Sequence, residues 1–338
     1  MRKHIVSKEG EYPYSAMNEK GYCHFLNNDK LCTLVLTLGE DKLCYTCHTY
    51  PRKKEVFGDV VFSWLSISCP EAARQLMSKK ETLIPDLSDY VGSDLKEQDN
   101  YDRRLFDIFV ASYANCVGIL QERSLSIGER ISVCLLFTYQ IETNIKTGTD
   151  ISGLLELFSS PNSLHSLVSQ LDHTVDITSK IRLFNLMYKA LGKSGFKRYD
   201  NLYNLFEKFV PYCHNNDMSG VLDELFNYYS CFKENALQTE LEQLLVYCFT
   251  HYFFKDYDRK CFMRNISFII VFMQLYVCFV VFSSLESDSF ITFEERVLLI
   301  SLLSRLFEHD QTIMDDIYTR LEMFDMNSLN YLLRLASI

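Results

Sequence analysis

The stretch that decides the fold reads Ile266-Ser267-Phe268-Ile269-Ile270-Val271-Phe272-Met273-Gln274-Leu275-Tyr276-Val277-Cys278-Phe279-Val280-Val281-Phe282-Ser283. It is almost wholly apolar and close to the length of a membrane helix, about 20 residues. Only Ser267, Gln274 and Tyr276 interrupt it. No second span accompanies it, and neither flank carries a marked excess of Lys or Arg. The neighbouring segments read as ordinary amphipathic helices. The expectation is therefore a central helix buried on every side, in a protein that does not enter a membrane.

Outward from this run, apolar residues recur at helical spacing from about Tyr101 onward. Leu105, Ile108, Phe109 and Ala111 mark one helix, and Ile131, Cys134, Leu135 and Thr138 the next. Ser126 with Glu129 three residues later is the reciprocal N-terminal cap, in which each side chain bonds the other's free N–H. Further helices are predicted at about Ser152–Phe158, Ser163–Leu171, Lys180–Leu191, Tyr199–Tyr212, Gly220–Phe232, Gln238–Phe254, Asn265–Ser284, Thr292–Phe307 and Thr312–Phe324, with Thr292 to Glu295 a second capped start. No fixed-period repeat appears, which argues against a solenoid.

The first 95 residues or so read differently. Gly10, Pro13, Gly21, Gly39, Pro51, Gly58, Pro70 and Pro85 leave room only for short elements. Leu31 to Leu38 fits a brief strand or a turn of helix, and Glu55 to Ser68 resembles a hairpin around Gly58-Asp59. Pro70 opens a helix at the position where its missing N–H costs nothing, with Glu71 beside the positive end of the dipole and Ser68 or Cys69 as cap. The predicted fold class is mainly α: an irregular Cys-rich N-terminal module with short strands (residues 1–95), packed on a multi-helix body (residues 96–338).

Composition narrows the function. Of 338 residues 48% are hydrophobic, enough for a sizeable core, and only 12 Gly and 6 Pro break the chain. Lys+Arg 34 against Asp+Glu 44 leaves a net charge of −10, which excludes a global nucleic-acid signature. Trp64, the 21 Tyr and the 25 Phe show no interleaved basic array of the kind that stacks bases. The start, Met1 to Glu11, has no apolar export core, so the 12 Cys point to a reducing, cytoplasmic setting rather than to disulfides.

Seven of those cysteines are scattered singly through helical text, where Cys acts as a small hydrophobe. The other five read Cys23-x8-Cys32-x11-Cys44-x2-Cys47-x21-Cys69. A close pair supplies two thiolates from one turn and distant ones close the loop, as in zinc and iron–sulfur sites. Five unligated thiols, with His24 and His48 as exposed polar neighbours, is the alternative reading.

The text around these cysteines is more specific than their spacing. Cys23-His24-Phe25-Leu26, Leu31-Cys32, Leu38-Gly39-Glu40, Thr46-Cys47-His48-Thr49-Tyr50-Pro51-Arg52 and Leu65-Ser66-Ile67-Ser68-Cys69-Pro70-Glu71-Ala72-Ala73-Arg74 resemble, in that order, the bacterial flagellin lysine-N-methylase family. The resemblance continues through Leu120 to Arg130 and returns at Ser304-Arg305-Leu306-Phe307-Glu308-His309. It implies a cytoplasmic enzyme that methylates the ε-amino group of surface lysines on flagellin, with S-adenosylmethionine as donor and a cysteine-bound iron–sulfur cluster (4Fe-4S). It makes Cys23, Cys32, Cys47 and Cys69 the cluster ligands, with Cys44 ranked below them. Members carry a further Cys-rich stretch, ending in paired Cys near a Trp, and this chain begins after it.

The residues themselves show neither a glycine fingerprint for a dinucleotide nor a phosphate loop, nor the compact three-cysteine spacing of radical enzymes. Methyl transfer to an amine asks mainly for positioning, desolvation and a path for one proton. Tyr50, Arg52, Glu71 and Arg74 are the candidate cofactor-binding residues, since each brings a charge or hydroxyl close to the ligand cysteines. Neutralising thiolates or pairing with Glu71 is the alternative role for Arg52 and Arg74. Glu308 and His309 point about 100° apart on a helix, so they do not form a dyad; one of them is expected to pair with Arg305. The rival readings are a non-catalytic zinc or iron–sulfur protein of the same lineage, and a helical interaction protein whose cysteines bind nothing.

Overall fold

A computed structural model of the chain describes residues 5–6, 14–18, 22–29, 31–57, 60–83, 87–89, 102–171, 176–195, 204–205, 207–208, 218–231, 234–253, 262–308 and 311–336. The chain divides into two units, Met1–Lys53 and Lys54–Ile338. The helix expected at Tyr199–Tyr212 lies almost wholly outside the described residues, as do Gly58-Asp59, Cys213, Cys261 and His309.

The first unit is built of short pieces. Strands β1 (Ile5–Val6) and β2 (Tyr14–Ser15) pair antiparallel. Single bridges join Met17 to Cys23 and Leu26 to Cys32. Leu31 to Leu38 resolves as helix: α1 spans Thr33–Leu38, stops at Gly39 with φ 88°, and is followed by α2 at Tyr45–Thr49. That positive φ is the region glycine enters without steric cost. None of its described residues is fully buried.

In the second unit, the expected hairpin is β3 (Arg52–Phe57) and β4 (Val60–Leu65), with β3 starting just ahead of the division. A third strand not expected from sequence, β5 (Leu87–Asp89), pairs antiparallel with β4 in the register Val60–Asp89, Val61–Ser88 and Phe62–Leu87. The sequence expectation drew its boundary near residue 95, whereas the hairpin and helix α3 (Pro70–Met77) belong with the helical unit. Aromatic packing explains this. Phe57 stacks on Phe106 of α4 (Arg103–Leu120) at 5.2 Å, and Phe62 stands edge-on to Tyr113 at 6.0 Å. Cys69 is the N-cap of α3 and Pro70 its first residue, as the sequence reads.

Helices α5 (Ile127–Thr147), α6 (Ser152–Ser159), α7 (Pro161–Val168), α8 (Ile177–Gly195), α9 (Met218–Ser230) and α10 (Asn235–Tyr252) lead to the decisive run. That run is α11, Phe262–Glu286, followed by α12 (Phe293–Glu308), α13 (Gln311–Met323) and α14 (Leu329–Ala336). Length and composition would let α11 cross a membrane, yet 94% of its apolar window is buried within the chain. Helices α5, α8, α9, α10, α12, α13 and α14 all pack on it. Its polar break has a purpose. Gln274 accepts from the Lys180 ammonium at 2.5 Å and donates to the Leu335 carbonyl, which Lys180 also reaches at 3.2 Å. The pair thereby ties α8, α11 and α14 together.

Both predicted caps form. Ser126 and Glu129 bond reciprocally, and Thr292 and Glu295 do the same ahead of α12. The Leu120–Arg130 segment is pinned by a second buried polar knot. Glu242 of α10, 1% exposed at its side chain, receives Arg123 through two nitrogens (2.8 and 3.0 Å) and Arg130 at 2.8 Å. Arg130 also donates to the Leu120 and Leu125 carbonyls.

Removing the carboxylate in Glu242→Ala strands a buried guanidinium; we expect a loss of about 3–5 kcal/mol in unfolding free energy by denaturant titration, against near-zero for the exposed Glu156→Ala. Burial pulls the Lys180 amine down to about 7. From about pH 7 to 10 the unfolded chain then holds a proton that the folded chain lacks, so stability rises with pH by about 1.4 kcal/mol per unit from this group. The difference in unfolding free energy between wild type and Lys180→Met should follow that slope above about pH 7 and flatten below it; a pH-independent difference would contradict the assignment.

Candidate functional site

The chain leaves β4 at Leu65 and enters α3 at Pro70 through Ser66-Ile67-Ser68-Cys69, with Ser66, Ile67 and Ser68 buried. Ser66 Oγ and Ser68 Oγ lie 2.7 Å apart, and the Ser68 N–H donates to Ser66 Oγ at 3.3 Å. This turn meets the last turn of α12. Ser66 Oγ donates to Glu308 Oε2 at 2.5 Å, and Arg305 Nε donates to the Ser68 carbonyl at 2.8 Å. Helix α10 completes the cluster: the Tyr247 phenol donates to Glu308 Oε1 at 2.8 Å and accepts from the Ile67 N–H at 3.2 Å. Ser304, one turn earlier on α12, donates to the same Oε1.

A carboxylate at a helix C-terminus faces the negative end of the dipole, an unfavourable place. Three hydroxyl donors offset that cost, each a charge-assisted hydrogen bond. Burial and the neighbouring Glu308 charge push the Tyr247 phenol far above its ordinary range, so it keeps its proton and remains the donor. Two stretches of the sequence resemblance, Leu65–Arg74 and Ser304–Glu308, thus meet in space.

Beside this knot lies a cavity of about 280 Å³. Trp64, Ile67, Leu76 and Tyr247 line it, with Gln75 and Lys79 from α3 and its exit. His251, one turn after Tyr247, stacks on that phenol ring (5.8 Å, 11° between planes) and presents its face to the edge of Trp64 at 5.3 Å. The wall is therefore rigid.

Of the residues singled out from sequence, Glu71 is exposed and Arg74 half-buried on α3. Arg74 donates to Glu71 at 3.2 Å and to Glu294 of α12, whose carboxylate raises the guanidinium further above its ordinary value. Tyr50 and Arg52 belong to the first unit, where Arg52 donates to the His48 carbonyl at 3.4 Å and the Tyr50–Pro51 peptide is cis. Glu308 takes hydroxyls, and Arg305 a backbone carbonyl.

The cysteines divide between the units. Cys23, Cys32, Cys44 and Cys47 are in the first, Cys69 in the second. Cys47 has Cys44 as its hydrogen-bond neighbour. Its thiol is pushed up to about 11, chiefly by burial, then by a hydrogen bond with Cys44, then by the nearness of Cys44, Cys23 and Cys32. Cys23 also sits 3.1 Å from the Ser15 hydroxyl. Among the described residues no three His, Cys, Asp or Glu side chains stand at the spacing that holds an ion. Thiols are the donors that zinc and iron–sulfur sites use.

The family-model match falls on the second unit. Residues 113–335 match the family described as the FliB lysine N-methylase C-terminal domain, from within α4 to α14. The chain belongs to the FliB lysine N-methylase family. Its match covers Tyr247, Ser304, Arg305 and Glu308. The chain is also 32% identical over 63 residues to the flagellar biosynthetic protein FliU of Salmonella muenchen, 19% of this chain and 37% of that protein. The same identity and length hold for the lysine-N-methylase of Salmonella typhimurium, of which the match covers 16%. The matched stretch thus spans about a third of one relative and a sixth of the other. No solved structure matches.

Trp64 and Tyr247 escaped sequence reasoning because each reads as one aromatic in an apolar pattern. Ser66 and Glu308 carried a signal, since both lie in stretches that bear the resemblance. For the cysteines, metal per chain after anaerobic purification is the check. Cys47→Ser is expected to lose most of it, and comparison of Cys44→Ser with Cys69→Ser tells which of the two is the fourth sulfur; full retention in Cys47→Ser would contradict the ligand set.

Proposed function

We propose that this protein is a cytoplasmic lysine N-methyltransferase that moves a methyl group from S-adenosylmethionine to surface lysines of a flagellin-type protein. One observation carries the reading: in a member of the FliB family, two separate stretches of the family resemblance converge on one carboxylate behind the wall of a cavity. The net charge of −10 suits a lysine-bearing partner.

The reaction is a single displacement. The unprotonated lysine nitrogen attacks the sulfonium methyl carbon, the carbon–sulfur bond breaks with its electrons going to sulfur, and the nitrogen sheds one proton. What this chain contributes is position. Glu308 fixes the Tyr247 phenol against the Ile67 N–H, and Tyr247 also lines the cavity.

Thiolate ligation by the cysteines of the first unit also fits the reading. A unit whose described residues include none fully buried gains order from a metal staple, and a 4Fe-4S cluster would supply that together with a redox-active group. Cys23, Cys32 and Cys47 would hold it, with Cys44 or the resemblance's Cys69 as fourth ligand.

The test is transfer of radiolabelled methyl from S-adenosylmethionine to purified flagellin. Wild type should label lysines, and Tyr247→Phe should lower the rate roughly 10- to 100-fold with the thermal midpoint little changed. An unlabelled flagellin with metal-loaded wild type would overturn the reading; an undiminished rate in Tyr247→Phe would remove Tyr247 from it.

A further inference from the structure

A separate cavity of about 200 Å³ lies in the second unit, between α5, the first turns of α11 and the end of α13. It shares no residue with the Tyr247 cavity. Three charged side chains line it, Glu142, Arg264 and Glu322. Glu142 is already engaged: it accepts from the Lys146 ammonium at 2.5 Å and from the Met263 N–H at 2.8 Å. The Arg264 guanidinium lies 3.9 Å over the Tyr318 ring and donates to Asp315 at 3.3 Å, two contacts that fix its direction. Among the described residues no hydrogen bond or ion pair engages the Glu322 carboxylate or the Asn327 amide, which lie on the same lining.

These groups discriminate between classes of guest. A guanidinium is a planar fork of donors that matches a carboxylate, and a carboxylate accepts from the N–H groups of an ammonium. A plain amine would meet Arg264 with like charge, and a plain carboxylic acid would meet Glu322 in the same way. A zwitterion with both groups on one carbon answers both walls. Met263 and Leu321 give the rest of the lining an apolar surface, which suits an aliphatic side chain, and about 200 Å³ is below the range of drug-sized sites, so the guest is small.

We propose that this cavity binds an α-amino acid with an aliphatic side chain, its carboxylate toward Arg264 and its ammonium toward Glu322, with the Asn327 amide as a further polar contact. A free amino acid and the amino-acid end of S-adenosylmethionine carry the same two groups, so the two are separated by experiment.

The full chain is titrated calorimetrically with L-norleucine, with S-adenosylhomocysteine, and with pentylamine and hexanoate, which are norleucine without its carboxylate and without its ammonium. Norleucine should saturate a single site, and each of the two fragments should bind about 10-fold or more weakly. Glu322→Gln, a change at an exposed position, should weaken whichever amino acid binds by about 10-fold or more, with the thermal midpoint unchanged. Arg264→Lys, which keeps the charge and loses the fork, should weaken it as well. Displacement of norleucine by S-adenosylhomocysteine would identify the amino-acid end of the methyl donor as the guest, and simultaneous binding of the two would identify a free amino acid. Absence of binding by both, or an affinity unchanged in Glu322→Gln, would overturn the assignment. The methyltransferase reading is judged separately, by label on flagellin, and stands or falls without this cavity.

Discussion

The carboxylate of Glu308 is the point at which distant parts of the second unit are held to one another. It stands at the C-terminal end of α12, where the helix field disfavours negative charge. It is kept there by hydroxyls from three places in the sequence, Ser66, Tyr247 and Ser304. Each of those donors is itself constrained: Ser66 by the turn into α3, Tyr247 by the Ile67 N–H and by the stacked His251, Ser304 by its place one turn back. The cavity wall inherits that rigidity, because Ile67 and Tyr247 belong to the knot and to the lining alike.

The helical body shows how far local pattern carries. The apolar run at α11 announces its burial, and the Ser126–Glu129 and Thr292–Glu295 boxes announce their helix starts, since both signals are written within a few residues. The third strand β5 and the last helix α14 were not legible. Their stability comes from elsewhere in the chain, β5 from its ladder with β4 and α14 from the Lys180 and Gln274 bonds to the Leu335 carbonyl. A buried lysine next to a glutamine inside an apolar helix gives no periodic signal. It is a tertiary fact, visible only when α8, α11 and α14 are seen together.

The same contrast runs through the site. Five cysteines and their flanking residues pointed to a family, and the residue 113–335 match places the chain in it. Local text ranked Cys44 below its neighbours, whereas the fold of the first unit sets it beside Cys47. From sequence, Glu308 or His309 is expected to pair with Arg305, its near neighbour on the helix. In three dimensions Glu308 answers instead to Ser66, which lies 242 positions away. Charged residues near the cysteine motifs drew attention as cofactor contacts, yet Arg74 is engaged by Glu71 and Glu294 at the surface. The concave, polar-poor pocket was assembled from aromatics that sequence could only count.

The most direct test of the Glu308 knot is a double-mutant cycle on unfolding free energy with Ser66→Ala and Glu308→Gln. Two residues that exchange a charge-assisted hydrogen bond in a buried network should be coupled by about 1–2 kcal/mol. Effects that add to within about 0.3 kcal/mol would mean that the two side chains do not meet, and the link between the hairpin exit and α12 would fail with them.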